Sequence, residues 1–332
     1  MKTVRKIQYP LLTTPLHTLP ILSQKTGVEL LIKRDDLNGI GLGGNKIRKL
    51  AYLVQDALDQ KADTLLTYGG VQTNHGRLTA AAASMAGLSC GLILSGEKPP
   101  QPSGNLLLDQ LFGAELNFKQ EQESDEEVRT RVLNHYAKLN KIVYEIPLGG
   151  SSPLGILGYV EAIKEILDQL EDMNQTIDIL VVAVGSGGTF AGLNLGKMLY
   201  QAPFEILGMN VLFPKNEEVA LHTLISTSME QTNRLYNLNL NLNLNAKPPR
   251  IIMETVGKGY NKSDTKTHAI MQLMARCEGI ILDYCYTGKA FLGLMQAIEQ
   301  GLIQPGQRVL FLHTGGAPGI FSDTHARFWE KS

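Results

Sequence analysis

Cysteine is scarce in this 332-residue chain: Cys90, Cys277 and Cys285 are the only three, and no two of them form a C-x-x-C pair. An odd, scattered set excludes a disulfide framework and a cysteine-built metal site, and suits a reducing cytoplasm. An excess of charge of one sign is also missing. With 31 Lys and Arg against 32 Asp and Glu and no basic block, the chain lacks the electrostatic footprint of a nucleic-acid binder. Apolar runs are short; Ile179 to Val184 falls far below the ~20 residues of a membrane helix. Lys2, Arg5 and Lys6 are followed by Pro10, Pro15 and Pro20 before any apolar stretch of signal-peptide length, so no secretion signal is expected. These absences leave a soluble cytoplasmic protein that works on small molecules.

What is present is a foldable composition. Hydrophobic residues make up 43% and charged residues 19%, enough apolar surface to offset the entropy of ordering. At ~150 residues per domain the length predicts two domains. From residue 62 onward short apolar strands alternate with helical patterns: Thr64 to Tyr68, a helix through Ala80 to Ala83, Gly91 to Leu94, a helix near Leu106, Glu115 to Phe118, a helix around Val132 to Leu139, and Ile142 to Ile146. That rhythm predicts βαβ units with right-handed crossovers. A second series starts with a helix at Gly158 to Leu170. Strands at Ile179 to Val184, Ile206 to Val211, Arg250 to Met253, Ile280 to Asp283 and Val309 to His313 follow. Residues 1–47 hold one strand candidate, Val28 to Lys33, too little for a domain.

The expected fold is therefore α/β, with two open, twisted, mostly parallel sheets flanked by helices. Residues 1–47 and 158–332 would form the larger domain and 48–157 a smaller inserted one, with the ligand crevice between them, beyond the strand ends. The Asn/Leu alternation from Asn237 to Asn245 reads as a solvent-exposed connection or edge without chemistry, because Asn is a poor strand former.

Two glycine loops stand out. Val181 to Val184 is a buried strand that feeds Gly185-Ser186-Gly187-Gly188-Thr189, with a helix beginning near Phe190. Glycines admit a close ligand, first-turn amides supply donors, and the macrodipole favours an anion such as phosphate. Leu193 stands where a Walker lysine would be and Phe190 replaces a third glycine, so no nucleotide is specified. Gly39 to Gly44 matches G-x-G-x-x-G literally. However, Arg34-Asp35-Asp36 separates it from the strand before, and the next strand ends in Thr67-Tyr68-Gly69-Gly70 with no acidic residue for a ribose. Directly after these glycines, Lys46 is the first long side chain and can approach a flat ligand.

At these residues the chain resembles the pyridoxal-phosphate enzymes of the tryptophan-synthase-β-like fold (fold type II), in the group that holds D-cysteine desulfhydrase and 1-aminocyclopropane-1-carboxylate deaminase. The motifs stand in order along nearly the whole chain. They are Lys33-Arg34-Asp35-Asp36, Gly43-Gly44-Asn45-Lys46-Ile47-Arg48-Lys49, Gly69-Gly70-Val71-Gln72-Thr73-Asn74-His75, the Gly185 to Thr189 loop, Gly257-Lys258-Gly259-Tyr260, Tyr286-Thr287-Gly288-Lys289 and His313-Thr314-Gly315-Gly316.

The resemblance implies that Lys46 carries pyridoxal 5'-phosphate as a Schiff base, which requires an amine pKa lowered from ~10.4. It further implies that Gly185, Ser186, Gly187, Gly188 and Thr189 hold the phosphate. Thr73, Asn74 and His75 would hold the substrate carboxylate, with Asn74 also reaching the cofactor's phenolic oxygen. Tyr260 and Tyr286 would face the substrate, and Thr314 would lie near the pyridine nitrogen. Thr73 stands where the family usually has Ser, and Asn261-Lys262-Ser263 departs from the usual continuation after Tyr260. Family members are commonly homodimers.

Thr287 and Thr314 stand where the cyclopropane deaminases carry Glu and Leu. A neutral hydroxyl stabilises a protonated ring less than a carboxylate does. The expected reaction is therefore α,β-elimination from a small β-substituted amino acid, D-cysteine above all, giving pyruvate, ammonia and hydrogen sulfide, with Lys46, Thr73, Tyr286 and Tyr260 as catalytic candidates. The alternatives are cyclopropane deamination, elimination from another β-substituted amino acid such as cysteate, and a non-catalytic cofactor-binding regulator.

Overall fold

A computed structural model describes residues 3–244, 248–262 and 264–323. The first strands and helices are β1 (Leu16–Thr18), α1 (Pro20–Thr26), β2 (Glu29–Arg34) and α2 (Lys46–Asp59). A compact αβ alternation follows: β3 (Thr64–Gly70), α3 (Asn74–Ala86), β4 (Ser89–Ser95), α4 (Gly104–Leu111), β5 (Glu115–Phe118), α5 (Asp125–Lys138) and β6 (Val143–Glu145). Then come α6 (Pro153–Asp172), β7 (Ile179–Val184), α7 (Gly188–Leu199), β8 (Glu205–Asn210), α8 (Glu218–Leu235), β9 (Arg250–Ile252), α9 (Thr265–Glu278), α10 (Thr287–Glu299) and β10 (Arg308–His313).

Among the described residues the strands form two sheets, a six-stranded one in the order β1-β2-β10-β7-β8-β9 and a four-stranded one in the order β5-β4-β3-β6. Every pairing is parallel except that of β1 with β2. Central strands of parallel sheets are covered on both faces, which explains why β7 (ILVVAV) is apolar at every position and buried throughout. Strand β1 had no periodic signal of its own; three residues beside β2 are too few to show one.

The expected strand at Ile280 to Asp283 is corrected. The segment alternates as a strand would, with Ile280 and Leu282 buried and Ile281 46% exposed, yet it belongs to neither sheet. His313 Nε2 lies 2.9 Å from the Ile281 carbonyl, and Asp283 turns the chain by accepting from the amides of Cys285, Tyr286 and Thr287. Alternation reports which side of a segment is buried and does not report whether its backbone is paired. The Asn/Leu segment is an irregular connection as far as it is described. Its leucines Leu238, Leu240, Leu242 and Leu244 pack on the larger sheet's core, and Asn237 and Asn239 take left-handed backbone angles. Asn245 and Ser263 lie outside the described residues.

Helix α2 connects the site to both sheets. Its apolar face enters the core of the four-stranded sheet through Ile47, Leu50, Leu53 and Val54, and its back lies against α6 so closely that a β-carbon on Gly158 would stand 2.3 Å from the Arg48 carbonyl. The sequence boundaries expected at 47/48 and 157/158 thus fall inside α2 and α6. A buried ionic cluster locks this contact. Arg48 bonds Asp35 through Nε (2.9 Å) and NH2 (2.8 Å) and Glu165 through NH1 (2.7 Å), while Lys33 also reaches Glu165 and Tyr159 reaches Asp35. Burial alone would raise the Asp35 pKa, but Arg48 outweighs it and holds the carboxyl at about 2. The Lys33 to Asp36 motif therefore braces the helix that starts with Lys46.

Candidate active site

The carboxyl ends of β3, β7 and β10 converge on one cleft of about 410 Å3. Lys46, Thr73, Asn74, His75, Gly185, Ser186, Gly187, Thr189, Tyr260, Tyr286 and Thr314 all line it. Gly188 is buried directly behind that lining. These residues are spread over some 270 positions of sequence, about the separation from Lys46 to Thr314, and the strand-end geometry is what brings them together.

Lys46 opens α2, and its Nζ donates to Asn45 Oδ1 at 2.9 Å. Asn45 is held in turn by its own amide, which donates to the Thr314 carbonyl (3.0 Å), and by Nδ2, which donates to Thr189 Oγ1 (3.0 Å). Burial lowers the Lys46 amine to about 8, with Asp283 and Cys285 opposing the shift and Arg77 adding to it. A sizeable fraction of the free amine is then available near neutral pH, as a nucleophile toward an aldehyde requires.

The glycine loop lines the cleft and runs into a helix start. Gly187 takes φ +80° and leads into α7, whose first amides have no acceptor within the helix. Ser186 Oγ lies 2.8 Å from Ser151 Oγ. A β-carbon on Gly188 would stand 2.5 Å from Ser151 Oγ and 2.8 Å from Lys49 Nζ. The sequence motifs give Lys49 no role of its own. It lies one helical turn beyond Lys46, 1% exposed, and among the described residues donates to two neutral oxygens, the Gly149 carbonyl (3.1 Å) and Ser151 Oγ (3.1 Å). Burial, and then the charge of Lys46, push its pKa well down. The sequence signal was available in the i, i+3 spacing, which puts both lysines on one helix face.

At the other side of the cleft, Thr73 caps α3, its Oγ1 accepting from the Gly76 amide at 3.2 Å. Its methyl fits because glycines flank it: a β-carbon on Gly76 would lie 2.4 Å from Thr73 Cγ2, and one on Gly69 2.8 Å from the same atom. His75 is less open than its neighbours. Its Nε2 lies 2.9 Å from Thr67 Oγ1, which itself donates to the Ile146 carbonyl, so Nε2 carries the proton and donates. Burial, then Lys46 and Lys49, push the imidazole pKa far down and keep it neutral. What His75 offers the cleft is its position in the first turn of α3 rather than a charge.

The Tyr260 and Tyr286 hydroxyls share a hydrogen bond of 2.7 Å, with their rings edge to face at 5.9 Å. Lys46 Nζ lies 6.0 Å from the centre of the Tyr286 ring. Burial drives the Tyr286 phenol well above its ordinary pKa. Thr314 is 9% exposed and faces the cleft, whereas Thr287 is fully buried and turned away. Thr287 Oγ1 donates to Asp283 Oδ1 at 2.7 Å and accepts from the Asp283 amide at 2.8 Å.

An amine lowered to about 8 beside a glycine-lined helix start with a second buried lysine is equipment suited to holding a phosphorylated aldehyde through lysine. The donor set fits pyridoxal phosphate: Lys49, a buried amine with neutral partners and a lowered pKa, stands beside the glycine loop, where a bound phosphate would favour its protonated form. Comparison with known proteins supplies the family. The family model described as pyridoxal-phosphate dependent enzyme matches residues 7–315, and the chain belongs to that family. It is 40% identical over 310 residues to a Pyrococcus abyssi protein described as a candidate 1-aminocyclopropane-1-carboxylate deaminase, covering 93% of this chain and 90% of the relative. It is 37% identical over 319 residues to the D-cysteine desulfhydrase of Klebsiella pneumoniae, covering 93% of each. The crystal structure of a 1-aminocyclopropane-1-carboxylate deaminase homologue superposes with a TM-score of 0.86 at 34% identity, covering 99% of this chain and 95% of that one. The protein is a pyridoxal-phosphate-dependent lyase or deaminase of fold type II. Among its described residues no helix is long and apolar enough to cross a membrane.

Proposed function

We propose that this enzyme catalyses α,β-elimination from a small β-substituted amino acid, D-cysteine above all, and converts it with water to pyruvate, ammonia and hydrogen sulfide. One observation carries the choice: Thr314, a neutral hydroxyl, faces the cleft beside the Asn45-Lys46 turn, and among the described residues Asp125 is the only carboxylate in the cleft lining. Pyridoxal phosphate, when bound, supplies a conjugated sink for the electrons released at the substrate Cα. A hydroxyl partner strengthens that sink less than a carboxylate would, so the substrate must bring its own good leaving group.

In this reading Lys46 holds the cofactor and then moves the Cα proton. Lys49, Ser186 and the amides of Gly187, Gly188 and Thr189 hold the phosphate. The α3 N-terminus, through Thr73, Asn74 and His75, holds the substrate carboxylate against the helix dipole. The Tyr286 phenol, kept protonated by burial and paired with Tyr260, faces the departing group. The C–S bond breaks with its electron pair on sulfur, and the released 2-aminoacrylate hydrolyses to pyruvate and ammonia.

Three further parts of the reading come from the sequence. The enzyme works as a homodimer, and it works in the cytoplasm, where Cys90, Cys277 and Cys285, all unpaired, suit a reducing environment. The two sheets correspond to a larger domain (1–47 with 158–332) and a smaller one (48–157).

The second reading, opening of 1-aminocyclopropane-1-carboxylate to 2-oxobutyrate and ammonia, is favoured by the described activity of the Pyrococcus relative. A panel of D- and L-β-substituted amino acids and the cyclopropane substrate, assayed separately for keto acid, ammonia and sulfide, decides between them. Sulfide and pyruvate from D-cysteine at the highest kcat/KM support the first reading, and faster 2-oxobutyrate release replaces it with the second.

A further inference from the structure

The orientation of one cleft amide is dictated from two residues behind it. Arg77, in α3, is fully buried; its Nε donates to Asn105 Oδ1 at 2.7 Å and its NH2 to the Gly43 carbonyl at 3.0 Å. A guanidinium has donors and no acceptor. Burial lowers the Arg77 pKa to about 10, which still leaves it protonated at neutral pH. Asn105, also fully buried, must therefore turn its oxygen toward Arg77 and its nitrogen away. That nitrogen donates to the Gln72 carbonyl at 2.8 Å and to Asn74 Oδ1 at 2.9 Å. The Gln72 side chain closes the arrangement, accepting from the Asn105 amide at 2.8 Å and donating to the Ser103 carbonyl at 2.9 Å. Both side-chain hydrogens and the oxygen of Asn105 are thus engaged, and a flipped amide would set donor against donor at Arg77.

Asn74 inherits the constraint. Its oxygen takes the Asn105 hydrogen, so the group it has left for the cleft is its NH2. We propose that Asn105, oriented by Arg77, is a positioning residue that makes Asn74 present a hydrogen-bond donor, and not an acceptor, to the cleft. The inference rests on the reading of Asn74 as the contact of the cofactor's phenolic oxygen. A donor there stabilises the ionised oxygen, and an acceptor repels it. Neither Asn105 nor Arg77 lines the cleft beside Lys46, so their effect passes through Asn74.

The test uses protein reconstituted with pyridoxal phosphate and three readouts: the pH midpoint of the bound cofactor's visible band, the cofactor Kd, and urea unfolding. N105D replaces the donor facing Asn74 by an acceptor and turns the Asn74 oxygen to the cleft. N105A removes the donor without inverting anything. N105D is expected to raise the midpoint by one unit or more and to weaken cofactor binding at least fivefold, with N105A moving both less. In an N74A background, N105D should add no further shift of the band. If N74A alone moves the band and N105D does not, the positioning role is overturned. A shift by N105D that persists in N74A, or one that simply tracks lost stability, also overturns it as a merely structural effect. If N74A leaves band and affinity unchanged, the underlying reading of Asn74 fails, and the proposal with it. Should N105D not fold, N105A carries the test: its smaller shift must vanish in the N74A background, and no shift, or one that persists there, overturns the positioning role.

Discussion

Lys49 Nζ lies 2.8 Å from where a β-carbon on Gly188 would stand, so a buried lysine amine touches the start of the helix behind the glycine loop. Among the described residues its hydrogen-bond partners are neutral and burial holds its pKa well down, so an arriving anion is what favours the charged form. K49M is therefore expected to divide two properties that usually move together. Cofactor affinity should fall by roughly ten- to a hundredfold, the loss of about 1.5–3 kcal/mol for a hydrogen bond to a charged group. The cofactor-free protein should be as stable as the parent or more so. Fluorescence titration and urea unfolding measure the two, and a K49M protein that binds the cofactor normally would remove Lys49 from the cradle.

The amine of Lys46 should titrate near 8 rather than 10.5 in the cofactor-free protein. Reductive methylation with formaldehyde at a series of pH values, read by peptide mass, gives that midpoint directly. The stability consequence has a definite sign. Between about 8 and 10.5 the unfolded chain keeps a proton that folded Lys46 has lost, so folding stability rises with pH across this window. K46A should lose that part of the slope, together with the lysine that borohydride reduction of the holoenzyme labels. A pyridoxyl group mapped to Lys49 or Lys33 would contradict the assignment.

Adjacent glycines should fail for different reasons. In G188A the new methyl meets Ser151 Oγ at 2.5 Å and Lys49 Nζ at 2.8 Å, displacing the groups that hold the anion. Cofactor affinity should drop at least tenfold with little change in the urea midpoint. G187A instead forces a side chain into φ +80°, costing about 1–2 kcal/mol of folding free energy. Equal effects of the two on affinity and stability would count against the cradle.

Thr314 and Thr287 separate cleanly in position, and their variants should separate too. T314L alters the cleft wall and should keep the fold and the cofactor while lowering D-cysteine elimination. The expected change in the ratio of kcat/KM for elimination over ring opening is at least ~1.4 kcal/mol, which is tenfold. T287V removes two hydrogen bonds to buried Asp283 and should cost roughly 1–3 kcal/mol of stability instead. A T314L enzyme with the parent ratio would show that this wall does not govern reaction choice.

Y286F should retain the cofactor spectrum and lose at least ~tenfold in kcat, within the range of acid–base contributions. Y260F, which takes away the 2.7 Å partner of Tyr286 but leaves its phenol, should lose less. The reverse order would exchange their roles.

Much of this architecture was legible from local patterns. The βαβ rhythm located nearly all the long strands, because a strand buried on both faces must be apolar throughout, and Ile179 to Val184 could be read to the residue. The motifs named Lys46, the cradle and the α3 turn, since glycines at strand ends and a lysine at a helix start are local requirements of close approach. Local patterns did less well where pairing or direction mattered. Ile280 to Asp283 has strand alternation, but its Ile281 carbonyl meets the His313 side chain rather than the backbone of a paired strand.

The sequence by itself determined the α/β alternation and which residues stand at the strand ends, because helix starts, glycine turns and apolar runs are encoded within a few neighbouring residues, and the order of its motifs carried the resemblance to pyridoxal-phosphate enzymes that singled out Lys46. Only the tertiary structure decided that Thr314 lines the cleft while Thr287 bonds Asp283, that the buried Lys49 amine meets Gly149 and Ser151 beside Gly188, and that Asn105 bonds Arg77 on one side and Asn74 on the other. Each of these depends on side chains from separate elements meeting at hydrogen-bond distance, and their directions are set by the packing of α2, α3, α4 and α10 rather than by their spacing in the chain.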